Sequence, residues 1–433
     1  MGMKILVVGG GGREHALCWR AHKDRPDAEI FCAPGNAGIG DIAQLIHIEP
    51  TDLSGLLQWA TDNKPDLVIV GPEAPSALGL VDHLATAGIR AFGPSAAASR
   101  LEASKAWTCQ LLERCGIPTP KSSAFDNPES AHAYITHRNQ PLVIKADGLA
   151  LGKGVLVCDD AQEAHAAVDK IMVKRLFGES GASVVIQDRC VGPELSVFAV
   201  CSGTDFKILG SARDYKRAYN DDNGPNTGGV GAYTPVSDAT PVLIKQIEDT
   251  IIGPTLDATA AAGSPFTGVL YAGLMLTTDG PIVIEFNVRF GDPEAQVILT
   301  TSQGDLVSAI EAAIDGTLDR TVIEPDGSAA VCVVLSSGGY PGSYEAGHRI
   351  HGLENLPDNT LVFHAATQRR ADGFYTNGGR VLGLVGRGND VMTARTEAYQ
   401  IAQQITFRDI QMRTDIAQIE DSKVTTAVVG HST

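Results

Sequence analysis

The chain has 433 residues, 43% hydrophobic and 20% charged, the composition of an ordinary globular protein with length for about three domains. Thirty-four basic against 51 acidic residues give a formal charge of −17, which argues against a nucleic-acid partner because a phosphate backbone demands a basic surface. An anionic small substrate must then be held by local cations and backbone amides rather than by the overall field.

The longest apolar runs, Ile5–Val8, Leu67–Val70 and Ala329–Leu335, are strand-sized and far below a membrane span. No basic segment followed by an apolar one opens the chain, so no secretory signal is expected. The eight cysteines are scattered without CxxC or zinc-like spacing, and reduced thiols in the cytoplasm are the economical expectation.

Lys4–Val8 is a short buried-type strand followed by Gly9-Gly10-Gly11-Gly12, and a helix opens at Arg13. Successive glycine amides at a helix start can cradle an anion. Glu14 occupies the third glycine position of a dinucleotide fingerprint, so a dinucleotide is disfavoured. A single phosphate beside Arg13 and a plain tight turn remain equal readings. Asp66–Val70 and Ile89–Phe92 are further strands, and helical stretches over Ser54–Thr61 and Ser76–Ala87 alternate with them, implying a parallel sheet. Gly71-Pro72-Glu73-Ala74-Pro75 follows a strand's carboxyl end, where open α/β sheets place ligands.

A helix is expected over Ser99–Cys115 and carries Lys105, by default a surface lysine. Leu142–Lys145 and Val155–Val157 flank the glycine-rich turn Asp147–Gly154. With Lys145 and Lys153 this hairpin resembles a phosphate lid, because glycine lets the backbone approach and lysine neutralises charge. Its spacing does not meet the Walker A pattern. Ser183–Ile186 is a strand, Gln187–Val191 a connector, and Glu194 starts the next strand. The segment Ala212–Ala218, then Gly224–Gly231, is too long for a hairpin turn and suggests a functional or disordered loop.

Thr267–Met275 and Ile282–Val288 are adjacent strands. In Val283–Glu294 side chains alternate faces, so Glu285, Asn287 and Arg289 project from one side. A carboxylate, an amide oxygen and a guanidinium there suit a hard cation next to phosphate, against the alternative of a solvated edge strand. From about Ala329 a small α+β tail is expected, with a helix over Val391–Ile405 and loose residues from about Asp421.

Lys145–Gly154, Gly224–Gly231 and the opening strand together resemble the ATP-grasp ligases. More closely, the chain is similar to the phosphoribosylamine–glycine ligase family (glycinamide ribonucleotide synthetases). The similarity runs in order through Gly9–Ala16, Pro34–Gly38, Gly71–Pro75, Lys145–Ala150, Gly224–Gly229, Asn287–Glu294 and Thr376-Asn377-Gly378-Gly379-Arg380. It implies an α/β and α+β multidomain fold. Residues 1–103 would form an N-terminal open parallel-sheet domain for the substrate phosphate. Residues 104–328 would form a two-part ATP-grasp domain with a lid at about 120–190, and 329–433 a small α+β domain.

The implied activity joins glycine to 5-phosphoribosylamine at the expense of ATP, with no nucleic acid or membrane partner. The implied cofactors are ATP as co-substrate and Mg2+ or Mn2+ on Glu285 and Asn287. Nucleotide contacts fall on Lys105, Lys145, Gly148 and Lys153, on Gln187, Asp188 and Cys190 through adenine, on Glu194 through ribose, and on Asn226, Thr227 and Gly228. Catalytic positions fall on Arg289, Asp292, Asp214 and Lys216. Gly10, Gly11, Gly12, Arg13, Gly71, Pro72, Glu73 and again Arg289 fall where the amine substrate is received. Gln187-Asp188 stands where two glutamates are common, and Arg213 where glutamine is usual. A different ATP-grasp ligase or a carboxylase subunit is the alternative.

Overall fold

The computed structural model describes residues 2–150 and 154–418; Lys153 and the tail from Asp421 lie outside them. The N-terminal unit is a parallel sheet in the order β3-β2-β1-β4-β5, built from β1 (Lys4–Gly9), β2 (Glu29–Pro34), β3 (Gln44–Leu45), β4 (Leu67–Val70) and β5 (Ala91–Phe92). Ile5–Val8 and Leu67–Val70 are buried throughout, as continuous apolar runs are when helices cover both faces. The helices Gly12–Asp24 and Leu53–Asn63 do so.

A separate antiparallel sheet, β6 (Ser122–Phe125), β7 (Leu142–Ala146), β8 (Val155–Cys158) and β9 (Val184–Asp188) in the order β6-β9-β7-β8, packs its own core with the helices Pro128–Arg138 and Ala161–Val168. The central sheet then takes β10 (Glu194–Gly203), β11 (Asp205–Asp214), the small pair β12 (Arg217–Tyr219) and β13 (Asn223–Asn226) beside it, β14 (Gly231–Thr234), β15 (Phe266–Thr277) and β16 (Gly280–Asn287). After the short pair β17 (Ser302–Gly304) and β18 (Ile323–Pro325), β19 (Ala329–Ser337) pairs with β14. The sheet order is therefore β16-β15-β10-β11-β14-β19, continuing into the later strands Arg380–Gly388 and Leu361–His364. The C-terminal unit is α+β, but it does not stand apart: β19 extends the same ladder. Among the described residues no helix is long and apolar enough to cross a membrane.

Three expected elements differ. The helix over Ser99–Cys115 is two helices, Arg100–Ala103 and Lys105–Arg114, broken at Ser104, which is extended and whose side chain caps Trp107 N. The helix over Ser76–Ala87 is likewise two, Glu73–Ala77 and Leu80–Thr86, because Gly79 turns left-handed at φ 92°. The segment thought too long for a hairpin is one: β12 pairs with β13, and Asp221 and Asp222 take the turn at φ 57° and 51°. Arg413 secures that turn, donating to Asp222 Oδ1 at 2.7 Å and to Arg217 O at 3.1 Å.

The N-terminal and C-terminal units meet at His15 and His364. His15 Nδ1 accepts from His364 N at 2.8 Å, so it must be neutral. Burial pulls His15 from the ordinary 6.5 to about 4, and burial and the neighbouring His15 pull His364 to about 3. A histidine with a depressed folded value stabilises the fold above its unfolded value and loses that contribution as pH falls. Stability should therefore drop from about pH 6.5 downward, by up to about 3 kcal/mol for His15 alone. Denaturation midpoints between pH 6.5 and 5 should show this slope in the wild type and a shallower one in His15→Gln.

Candidate active site

Lys145 reaches from the four-stranded antiparallel sheet to the central sheet, and the groups around it form the candidate site. Lys145, in β7, is buried and donates from Nζ to Ile284 O of β16 at 2.7 Å; desolvation lowers its pKa. The break at Ser104 puts Lys105 at the start of its own helix, where Nζ donates to Gly148 O at 2.9 Å. Asp147 Oδ1 accepts from Ala106 N at 3.1 Å, tying the same helix start to the glycine-rich turn. Lys105, Lys145 and Gly148 thus lie together.

The connector is more tightly engaged than expected. Gln187 and Asp188 still belong to β9, which pairs on both sides. The Gln187 side chain turns to Cys109 Sγ at 3.3 Å, and Asp188 is held by Arg138 and by Gln140 Nε2 at 2.7 Å. The amides of Asp188 and Arg189 are taken by Lys121 O and Pro141 O. The side chains of Gln187 and Asp188 and the amides of Asp188 and Arg189 are thus all held by protein groups.

Glu285 and Asn287 leave β16 on one face, opposite Gly273 and Tyr271 of β15. Lys216 Nζ lies 3.6 Å from Glu285 Oε1, 2.7 Å from Glu194 Oε2 and 3.7 Å from Asp214 Oδ2, gathering all three carboxylates. Burial works against ionisation of Glu285, but Lys216, Lys145 and Lys105 hold it below the usual carboxylate range. Asp214 differs: burial pushes it up to about 8 despite Lys216, with Glu294, Glu194 and Glu285 adding to the rise. Its Oδ1 is buried and has no hydrogen-bond partner among the described residues. Burial opposes a charged Lys216, yet the three carboxylates raise its pKa well above the ordinary value.

Among the described residues no group of three or more His, Cys, Asp or Glu could hold a metal. Two oxygen donors, Glu285 and Asn287, nevertheless fit a hard cation that takes its remaining ligands from phosphate and water.

Arg289 does not stand free beside them. Its Nε donates to Glu73 Oε2 and its Nη2 to Glu102 Oε1, both at 3.2 Å, and its Nη1 to Phe290 O at 3.3 Å. Glu102 Oε2 also accepts from Val288 N at 2.8 Å. Burial pushes Glu102 up to about 7 in spite of Arg289. Glu73, although also desolvated, is held at about 2 by Arg289 and Arg13. Each of the three Arg289 nitrogens thus has a protein acceptor, which takes three of the five N–H donors of its fork.

The glycine loop is occupied in a similar way. Gly11 N donates to Glu14 Oε2 at 2.7 Å, and Arg13 pairs with Glu14 and donates to Phe290 O. A Cβ at Gly71 would sit 2.2 Å from Glu14 Oε1, so a larger residue there would displace the Glu14 side chain. Pro72 and Glu73 begin the short helix after it. Gly11 and Gly12 thus meet the central domain at Asp292 and Gln296, while Gly10 backs onto Gly35 of its own unit. The bonds within the protein thus engage the Gly11 amide and the Nε and Nη1 atoms of Arg13.

Asp292, expected to be catalytic, has both oxygens engaged, by Gln296 Nε2 at 2.7 Å and Arg380 Nη2 at 2.8 Å. Burial is outweighed by Arg380 and Arg13, so its pKa is lowered. Asn226 ends β13, Thr227 donates from N and Oγ1 to Lys216 O at 2.7 and 2.8 Å, and Gly228 lies under Arg380 and Tyr340. Arg213, the departure from the common glutamine, pairs with Asp238 and donates to Glu194 O at 2.9 Å.

Sequence reasoning missed Glu14, Glu102, Tyr340 and Gln296 and assigned no role to Arg380. Arg380 sat in a quoted motif, and Glu14 at the missing third glycine. Glu102 and Tyr340 carried no local signal.

Comparison with known proteins follows the same division of the chain. The model of the Phosphoribosylglycinamide synthetase N domain matches residues 3–102, that of its ATP-grasp (A) domain 103–295, and that of its C domain 330–419. A protein of Rhodopirellula baltica named phosphoribosylamine–glycine ligase is 46% identical over 423 residues, covering 95% of this chain and 97% of its own. The crystal structure of phosphoribosylamine–glycine ligase from Thermotoga maritima superposes with a TM-score of 0.85 at 35% identity, over 96% of this chain and 100% of its own. A biotin carboxylase domain of Hydrogenobacter thermophilus 2-oxoglutarate carboxylase, solved with MgADP, gives 0.73 at 14% identity over 95% and 92%. That likeness is one of fold alone.

Proposed function

The chain belongs to the phosphoribosylglycinamide synthetase family, and on that premise we propose which of its groups carry the family's reaction. It is an ATP-grasp carbon–nitrogen ligase that joins glycine to 5-phosphoribosylamine, giving glycinamide ribonucleotide, ADP and phosphate in purine biosynthesis. A glycine carboxylate is a poor electrophile. One of its oxygens takes the γ-phosphoryl group as the bond to ADP breaks; the amine then attacks the acyl carbon, phosphate leaves with that oxygen, and the amine gives up a proton. No enzyme nucleophile is needed, so positioning and charge placement do the catalysis.

The observation that carries the assignment is the Glu285–Asn287 pair at the end of β16, with Lys145 anchored on Ile284 O between the sheets. We assign these two oxygens to a divalent cation, magnesium or manganese, which when bound neutralises the nucleotide's phosphate charge. Lys105 and Lys145 meet the phosphates, Cys190 offers backbone to adenine, and Glu194 meets ribose. The unpartnered Asp214 Oδ1 receives the ammonium of glycine. Arg289 acts through Glu73 and Glu102, holding the N-terminal domain and its amine substrate against the cleft. The formal charge of −17 supports a protein without a nucleic-acid partner, and eight unpaired cysteines support a reducing, cytoplasmic setting.

A coupled ADP assay tests the reaction. ADP should accumulate only when ATP, glycine and phosphoribosylamine are all present. Turnover with another acid or amine, and none with this pair, would move the chain to a different ATP-grasp activity.

A further inference from the structure

Arg380 and Tyr340 belong to the C-terminal unit, yet both close on the Gly228–Gly229 turn of the central domain. Arg380 Nη1 donates to Gly228 O at 2.6 Å, Gly229 O at 3.3 Å and Asp292 O at 2.6 Å, while Nη2 takes Asp292 Oδ2 at 2.8 Å. Tyr340 Oη accepts from Gly228 N at 3.1 Å. Both polar groups of one peptide residue are thus held from the other unit. Gly229 allows the approach: at φ 102°, a Cβ there would lie 2.5 Å from Pro293 Cδ.

The clamp is connected to the cleft by a short path. Gly229 N donates to Thr227 Oγ1 at 3.0 Å, and Thr227 fixes Lys216 through two bonds to its carbonyl. Lys216 is the cation that gathers Glu194, Asp214 and Glu285. A fork donating to four acceptors is a demand that lysine, a single point charge, does not meet.

We propose that Arg380, assisted by the Tyr340 hydroxyl, is a positioning residue for the glycine half of the reaction. It sets Lys216 and the Asp214 carboxylate through the Gly228–Gly229 turn and Thr227. This rests on glycine being activated in this cleft, and it makes the C-terminal unit part of the acid-activating site rather than a cover for it.

The test compares wild type, Arg380→Lys and Tyr340→Phe by steady-state kinetics in glycine and by direct binding of a non-hydrolysable ATP analogue. Arg380→Lys should lower kcat/KM for glycine by about 100-fold, the scale of an ångström-sized misplacement. Tyr340→Phe, which keeps the ring's packing, should raise the glycine KM by about fivefold, the worth of one hydrogen bond. Because Lys216 also touches Glu194 and Glu285, analogue binding should weaken in both, but by much less than the glycine kinetics. Unchanged glycine kinetics in Tyr340→Phe and Arg380→Lys overturn the proposal, and so does analogue binding that falls in parallel, which marks a merely structural role. Wild-type ADP release indifferent to glycine would instead overturn the reading of the reaction.

Discussion

Glu285→Ala should lose ligase turnover by about three orders of magnitude or more, the scale of removing a transition-state charge stabiliser. The fold should survive, with a melting temperature within about 3 °C of wild type. Lys216 is the group that would be left unbalanced, but it retains Glu194 at 2.7 Å and Asp214 at 3.7 Å. Nothing else hydrogen-bonds the Glu285 side chain among the described residues. What sets this carboxylate apart from Glu73 and Glu102 is that its side chain is 31% exposed and, among the described residues, its ion pairing is limited to Lys216 at 3.6 Å. ADP release and thermal melting of the purified variant check both halves; a variant as active as wild type removes β16 from the chemistry.

Arg289→Met should fail in the opposite way, losing stability along with activity. It strands Glu73 and Glu102, both buried around one guanidinium. Breaking a buried pair in this manner costs about 3–5 kcal/mol. The sign of its pH dependence follows from Glu102. A carboxyl whose folded value of about 7 lies above its ordinary 4.5 weakens the fold more as pH rises between them. Without Arg289 that value climbs further, so the deficit of the variant should shrink on going from pH 8 to pH 6. Denaturant midpoints at the two pH values measure this directly, and an equal deficit at both would show that Glu102 is not the stranded group.

The contrast between these two residues shows what a linear chain discloses. Period-two alternation placed Glu285, Asn287 and Arg289 on one face, and the strand carrying the first two has that geometry. Alternation cannot say what a side chain meets, and Arg289 meets Glu73 and Glu102 from 216 and 187 residues away. The buried parallel strands Ile5–Val8 and Leu67–Val70 were legible because uninterrupted apolar runs of that length have few other homes. The β12–β13 hairpin was not, since it depends on Asp221 and Asp222 adopting left-handed turns and on Arg413 arriving from the far end of the chain. The union of β19 with β14 was hidden for the same reason: edge pairing leaves no mark in composition. Motif order disclosed the family, while the clamps and struts that make the motifs work lay outside them.

Glycine labelled with heavy oxygen in its carboxylate offers the most direct test of the chemistry assigned to this cleft. Turnover through a glycyl phosphate must carry one labelled oxygen from each glycine into the inorganic phosphate released, which mass spectrometry of that phosphate detects. Unlabelled phosphate alongside full formation of glycinamide ribonucleotide would mean that the carboxylate is never phosphorylated here.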